Sequence, residues 1–107
     1  MTISTTTLKN AARAIECDLF TDSDGCHYLA KDGAILRLWE PEHDSGDSLE
    51  LVGECELEVY YGWDEGARVY AKAPKLKMYN IMDCSEDKLA ATRIAILYAA
   101  ADIGAAL

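Results

Sequence analysis

Basic residues are scarce in this sequence. Of 107 residues only 10 are lysine or arginine, against 19 aspartates and glutamates, which leaves a net charge of −9. A chain of that sign is repelled by free nucleic acid and by anionic membranes, so direct nucleic-acid and membrane binding are both excluded, and a partner selected by charge is basic. Histidine is rarer still, with two residues. His27 adjoins Cys26, and neighbours on a strand point to opposite faces, so the two cannot form a nucleophile–base pair. His43 stands alone in an acidic stretch. No Ser-His-Asp signature and no glycine-rich phosphate loop is present. The segment Asp44-Ser45-Gly46-Asp47-Ser48 lacks the ligand ladder of a calcium loop. No enzymatic activity and no cofactor is expected.

The four cysteines, at 17, 26, 55 and 84, contain no C-x-x-C pair and match no zinc spacing. No metal site is expected. The first residues, Met-Thr-Ile-Ser-Thr-Thr-Thr, show neither a basic nor an apolar leader. The thiols therefore read as reduced, mostly packed as small hydrophobes in a cytoplasmic protein. The longest apolar stretch, Ile94 to Leu107, is interrupted by Asp102 and is too short to span a bilayer; it reads as a buried helix. No repeat, linker or low-complexity tract divides the chain. Its length suits one domain covering residues 1–107, with half the residues hydrophobic and so enough for one core.

Periodicity supplies the elements. A helix is expected from Thr5–Thr7 to about Cys17, with Leu8, Ala11, Ala12, Ile15 and Leu19 on one face. After a turn at Thr21-Asp22-Ser23-Asp24-Gly25, two short strands follow at Cys26–Ala30 and Ala34–Trp39, joined by Asp32-Gly33, a strong hairpin signal. The next segment alternates with period two. Leu49, Leu51, Cys55, Leu57, Val59 and Tyr61 share one parity, and Glu50, Glu54, Glu56, Glu58 and Tyr60 the other, which predicts a long half-buried strand with a bulge at Gly53. Gly62 to Gly66 turns the chain into a strand at Ala67–Lys72, and Lys75–Ile81 extends it or forms a fifth. A last helix, boxed by Asp83 and Glu86, runs to about Ile103. The expected fold is α+β: an antiparallel sheet of four to five strands, with an N-terminal and a C-terminal helix on one face.

Charge is concentrated. Between Glu40 and Glu65 lie ten acids and no lysine or arginine, so the whole net charge arises there. Alternate residues of a strand stand about 6.6 Å apart, so Glu54, Glu56 and Glu58 would form a row matching every second phosphate of a nucleic-acid strand. One reading is an acidic surface that occupies the nucleic-acid groove of a basic protein. It would use Asp44, Asp47, Glu50, Glu54, Glu56, Glu58, Asp64 and Glu65, with Trp63 as an anchor at a loop tip. The other reading is a solvated face. If Tyr61 pairs with Ala67, Glu56 meets Lys72 across the sheet, an ordinary stabilising pair. Asp44, Asp47, Asp64 and Glu65 have no such evident partners.

The segment Ala67-Arg68-Val69-Tyr70-Ala71, followed by Asp87-x-x-Ala90-Ala91-x-Arg93-Ile94-Ala95, resembles the C-terminal half of small phage and prophage accessory proteins of the ABA-sandwich type. That resemblance carries no catalytic residues. It implies a phage origin and, with the acidity, an inhibitor of host defence such as an anti-CRISPR protein, its partner a nucleic-acid-binding defence complex. The alternative is a structural module that self-associates through a sheet edge or its alanine-rich helix, the acidic face merely solvated.

Overall fold

The computed structural model describes residues 3–107. The chain is α+β, with three helices and two separate three-stranded antiparallel sheets in place of one continuous sheet. Helix α1 (Thr5–Ala14) starts where expected, although Ser4 caps it, its hydroxyl accepting the Thr7 amide at 3.1 Å. It ends early because Glu16 takes a left-handed conformation (φ 60°). That releases Leu19 from the helix face into a strand that the helical reading had absorbed, β1 (Asp18–Thr21). Strands β2 (His27–Lys31) and β3 (Ala34–Leu38) form the expected hairpin, with Asp32 and Gly33 both at positive φ as the tight turn requires. The first sheet runs β1-β2-β3 and carries a bulge opposite Leu29 and Ala30.

The long strand predicted for residues 49–61 does not exist. Its first half is helix α2 (Ser45–Cys55), and only its end is a strand, β4 (Glu58–Trp63). Two physical facts override the alternation. Asp44 caps the helix by accepting the Asp47 amide at 2.8 Å. Ser48, Leu51 and Cys55, three and four residues apart, are buried together, while Leu49, which the strand reading buries, is 67% exposed. Gly53 is therefore an exposed helical residue and marks no bulge. Glu56 stops the helix in a left-handed conformation (φ 53°).

Strands β5 (Ala67–Ala73) and β6 (Met78–Asp83), linked by a 3-10 turn at Pro74–Leu76, complete a second sheet of order β4-β5-β6. Its register is shifted by two residues from the expected one. Trp63, not Tyr61, pairs with Ala67, so Lys72 faces Glu58 and Arg68 faces Gly62. The cause is a turn confined to Asp64-Glu65-Gly66, with Glu65 and Gly66 at positive φ, where a longer loop was expected. Asp83 does not cap the last helix either. It ends β6 and accepts the Ser85 amide, while Asp87 caps α3 (Lys88–Ala105) through the Ala90 amide at 3.0 Å.

Although the sequence contains no evident repeat, the architecture does. Each sheet follows a helix that ends at a left-handed glutamate, Glu16 or Glu56, and the middle rows of the two sheets correspond: Phe20-Tyr28-Leu38 and Tyr60-Tyr70-Ile81. Helix α3 is the shared spine. It packs on α1, on α2 and on β5 and β6, with Ala95, Leu97, Ala99 and Ala100 wholly buried. Leu29 and Trp39 tie the first sheet into the same core as Leu51, Val69 and Ala71. No helix among the described residues is long and apolar enough to cross a membrane.

Candidate functional site

Splitting residues 49–61 between a helix and a strand dissolves the carboxylate row. Glu50 and Glu54 project from α2, Glu56 sits at its stop and Glu58 opens β4, so Glu54, Glu56 and Glu58 no longer share a spacing of two residues on one surface. Several of the acids are occupied. Arg37, on β3, binds both the Asp47 and the Glu50 carboxylates. Asp47 is nearly buried and also accepts the Glu40 amide at 2.8 Å, so it is a structural residue, as is the capping Asp44. Glu56 lies 3.7 Å from Lys75, with both groups well exposed, and Glu58 stands opposite Lys72. The absence of bases within residues 40–65 had hidden these partners, because each is supplied from outside that window.

What remains of the predicted surface is the tip of the β4–β5 hairpin. Val59, Tyr61 and Trp63 share the face of β4 that turns toward α3. The Tyr61 hydroxyl bonds to the Thr92 hydroxyl at 2.7 Å, and the Lys88 ammonium lies 4.2 Å from the Tyr61 ring centroid. Helix α3 begins at Lys88, so Trp63, two residues further along, reaches past its first turn and is 81% exposed. Asp64 and Glu65 flank it, both exposed. The tip is stiffened from behind. The Arg68 guanidinium bonds to the Ala67 and Glu65 carbonyls and lies 3.3 Å from the Asp83 carboxylate, and Asp64 donates its amide to the Gly66 carbonyl at 2.9 Å. The structure thus brings together Trp63, Asp64 and Glu65 at the hairpin tip, gathers Asp44, Asp47 and Glu50 with Arg37 at the start of α2, and sets Glu54, Glu56 and Glu58 on different elements.

A cleft of about 660 Å³ opens elsewhere, between the start of α1, the β1–β2 turn, the chain from Glu40 to His43 and the first turns of α3. It gathers both histidines, Cys26 and Arg93 with the acids Asp24, Glu40, Glu42 and Asp87. The arrangement does not activate the thiol. Asp22, then partial burial, then Asp24 and Glu40 push the Cys26 thiol up, away from the thiolate that a nucleophile needs. His27 is engaged through Nδ1 with the Thr21 hydroxyl at 2.8 Å. Arg93 is tied to the Glu42 carbonyl and the Ser45 hydroxyl, a bracing contact between α3 and the segment before α2. Among the described residues no three His, Cys, Asp or Glu side chains converge on a centre that could hold a metal. All four cysteines are free, with Cys55 and Cys84 buried.

Two surfaces escaped the sequence reading: the outer faces of the sheets. On the second, Tyr60 stacks on Tyr70 with centroids 4.9 Å apart, and Tyr70 meets Tyr79 at 6.4 Å, with Tyr79 57% exposed. On the first, Phe20 meets Tyr28 at 6.1 Å, beside the half-exposed Leu38 and Ile35. The signal was present, since Tyr60 falls on the same parity as Glu58, an aromatic side chain on the face assigned to water.

Compared with known proteins, the chain matches no protein family, no curated relative and no solved structure.

Proposed function

We propose that this chain is a non-enzymatic binding protein of phage type. In this reading it inhibits a basic, nucleic-acid-handling partner, such as a bacterial defence complex, by seating the β4–β5 hairpin tip in that partner's anion-binding groove. The observation that carries the reading is Trp63, 81% exposed beside the turn acids Asp64 and Glu65 on a hairpin braced by Arg68. A large aromatic that a fold leaves in water, on a stiff support, is the kind of side chain that dominates interface energetics. Carboxylates beside it steer the encounter with a basic surface and make it sensitive to salt. The net charge of −9 acts in the same direction over longer range.

The test is affinity capture with tagged protein from bacterial lysates that contain defence systems, with the Trp63→Ala/Asp64→Asn/Glu65→Gln variant in parallel. The expected result is a basic nucleic-acid-binding protein held by the wild type, released near about 0.5 M salt, displaced by a competing oligonucleotide and not held by the variant. Capture that the variant retains in full would exclude the hairpin tip. A parallel Glu54→Gln/Glu56→Gln/Glu58→Gln variant should stay bound to the partner and lose only the long-range part of the attraction, because those carboxylates do not form one surface.

A further inference from the structure

The cleft bordered by the β1–β2 turn takes no part in the binding proposed for the hairpin tip, and we infer that it is a site for a small organic cation. The ligand is an amine with an apolar body, its ammonium among Asp24, Glu40 and Glu42 and its body on Ile3, Ala90 and Ile94. The inference is independent of the hairpin-tip reading, since it uses neither Trp63 nor its acids.

The shape suits a small molecule. At about 660 Å³ the cleft lies within the roughly 300–1,000 Å³ that small-molecule sites occupy. Ile3, Ala90 and Ile94 line it and stay partly open, together with the buried Leu8. A ligand with a hydrocarbon part removes that apolar wall from water.

The charge suits a cation. Asp24, Glu40, Glu42 and Asp87 line the cleft against Arg93 alone, which leaves it strongly negative with the histidines counted as neutral. Asp87 is occupied as the cap of α3, and Arg93 is tied to the Glu42 carbonyl and the Ser45 hydroxyl. Among the described residues no hydrogen bond or ion pair takes up the side chains of Asp24, Glu40 and Glu42. Glu40 and Glu42 are nonetheless partly buried, and their backbone is fixed. The Glu40 amide donates to Asp47 at 2.8 Å, the Glu42 carbonyl accepts from Arg93 at 3.1 Å, and Pro41 between them is fully buried. Two carboxylates are thus held on a rigid segment, partly withdrawn from water, with no partner of their own. A cation supplies the missing donors. A concave wall of low dielectric also focuses a field of one sign, and that field reaches the Cys26 thiol, which Asp22, then burial, then Asp24 and Glu40 push up.

Other ligand classes fit poorly. An anion meets the free carboxylates, and the α3 N-terminus that would attract it is already answered by Asp87. A metal ion needs ligands converging on one centre, and no three His, Cys, Asp or Glu side chains do so among the described residues. An ammonium asks less, because its three donors can reach separate carboxylates directly or through water.

The experiment is an amide NMR titration of the full chain with phenylbutylamine as the probe. Phenylbutanol and phenylbutyrate control for charge, and butylamine controls for the apolar body. The Glu40→Gln/Glu42→Gln variant is titrated in parallel, its own spectrum establishing that it is folded. Phenylbutylamine should shift the amides of Cys26, His27, His43, Ala90 and Ile94 saturably. It should bind at least tenfold more tightly than phenylbutanol or butylamine, and phenylbutyrate should not bind. The variant should lose at least fivefold in affinity for the amine and none for the alcohol. An amine that binds no better than the alcohol, or that the variant holds as well as the wild type does, would overturn the inference. So would shifts that spread over the acidic surface without saturating, which mark a loose counter-ion, or calcium that displaces the amine from the same amides.

Discussion

Arg37 reaches from β3 to the first turn of α2 and binds the Asp47 carboxylate, whose other oxygen accepts the Glu40 amide. One nearly buried carboxylate thereby joins the first sheet, the chain entering α2 and α2 itself. Removing the guanidinium leaves that charge enclosed with the Glu40 amide as its remaining hydrogen-bond donor. Arg37→Ala should cost about 2 kcal/mol, and Asp47→Ala somewhat more because the Glu40 amide also loses its acceptor. Glu50→Gln, at the exposed end of the same fork, should cost less than about 0.5 kcal/mol. Urea unfolding of the three variants measures this, and equal losses for Arg37→Ala and Glu50→Gln would remove Asp47 as the anchor.

Gly104 of α3 sits directly against the Asn10 backbone of α1. A methyl group built at its Cα would fall on the Asn10 carbonyl oxygen and lie 3.0 Å from Asn10 Cα, atoms that belong to the backbone of a packed helix and cannot step aside. Gly104→Ala should therefore destabilise the fold by about 3 kcal/mol or more, in spite of the better helix propensity of alanine, because the α1–α3 contact must open. Thermal unfolding of Gly104→Ala beside Gly53→Ala separates the two effects. At Gly53 an added methyl meets nothing within 4 Å, so that change should leave stability unaltered or raise it.

Trp39 and Trp63 occupy opposite extremes, fully buried and 81% exposed. Wild-type fluorescence should hence contain one fraction quenched readily by iodide or acrylamide and one protected. Trp63→Phe should leave only the protected, blue-shifted emission, with stability changed by less than about 0.5 kcal/mol, since the side chain is almost wholly in water in the native state. A Trp63→Phe protein that stays readily quenched would mean that Trp39 is not in the core. The same variant keeps the hairpin intact for the binding test.

The parts of the fold legible in the sequence are those where a local signal has no competitor. Asp32-Gly33 admits positive φ and fixes the β2–β3 hairpin, and the apolar tail from Ile94 can only be a buried helix. Residues 49–61 were misread because Leu49-Glu50-Leu51 and Glu54-Cys55-Glu56-Leu57 satisfy a period of two, while Ser48, Leu51 and Cys55 satisfy the helical period with the same residues. The decision came from outside the segment, in the Asp44 cap, the Arg37 fork and the packing of α2 on α3. The candidate site inherited that error. Only Trp63, Asp64 and Glu65, whose exposure follows from a turn, survive it as a common surface. The sheet faces stayed unseen because pairing Phe20 with Tyr28 depends on recognising β1, which the helical spacing of Leu19 disguised.

Stability should vary with pH through four hydrogen-bonded or buried groups, and the signs follow from their shifts. The Cys26 amide first, then the Tyr28 hydroxyl and the Asp24 and Gly25 amides, hold the Asp22 carboxyl below its ordinary value of 3.8. The Ser85 hydroxyl and amide, with Arg68, do the same for Asp83. A carboxyl whose folded value is depressed contributes stability that is present above the unfolded value and is lost as pH falls through the lower, folded one. Burial pushes the Cys55 thiol from 9.0 up to about 11, so its contribution is complete below 9.0 and is lost as pH rises toward 11. The hydrogen bond to Asp22 also raises Tyr28, which extends the loss on the alkaline side. The melting temperature should thus hold a plateau from about pH 5 to 8 and fall on both flanks. Asp22→Asn should flatten the acid limb and trim the alkaline one, because it removes the carboxylate that both shifts share. An Asp22→Asn protein whose melting temperature follows the wild-type curve between pH 2 and about 5 would show that the β1–β2 turn does not draw its stability from that charge.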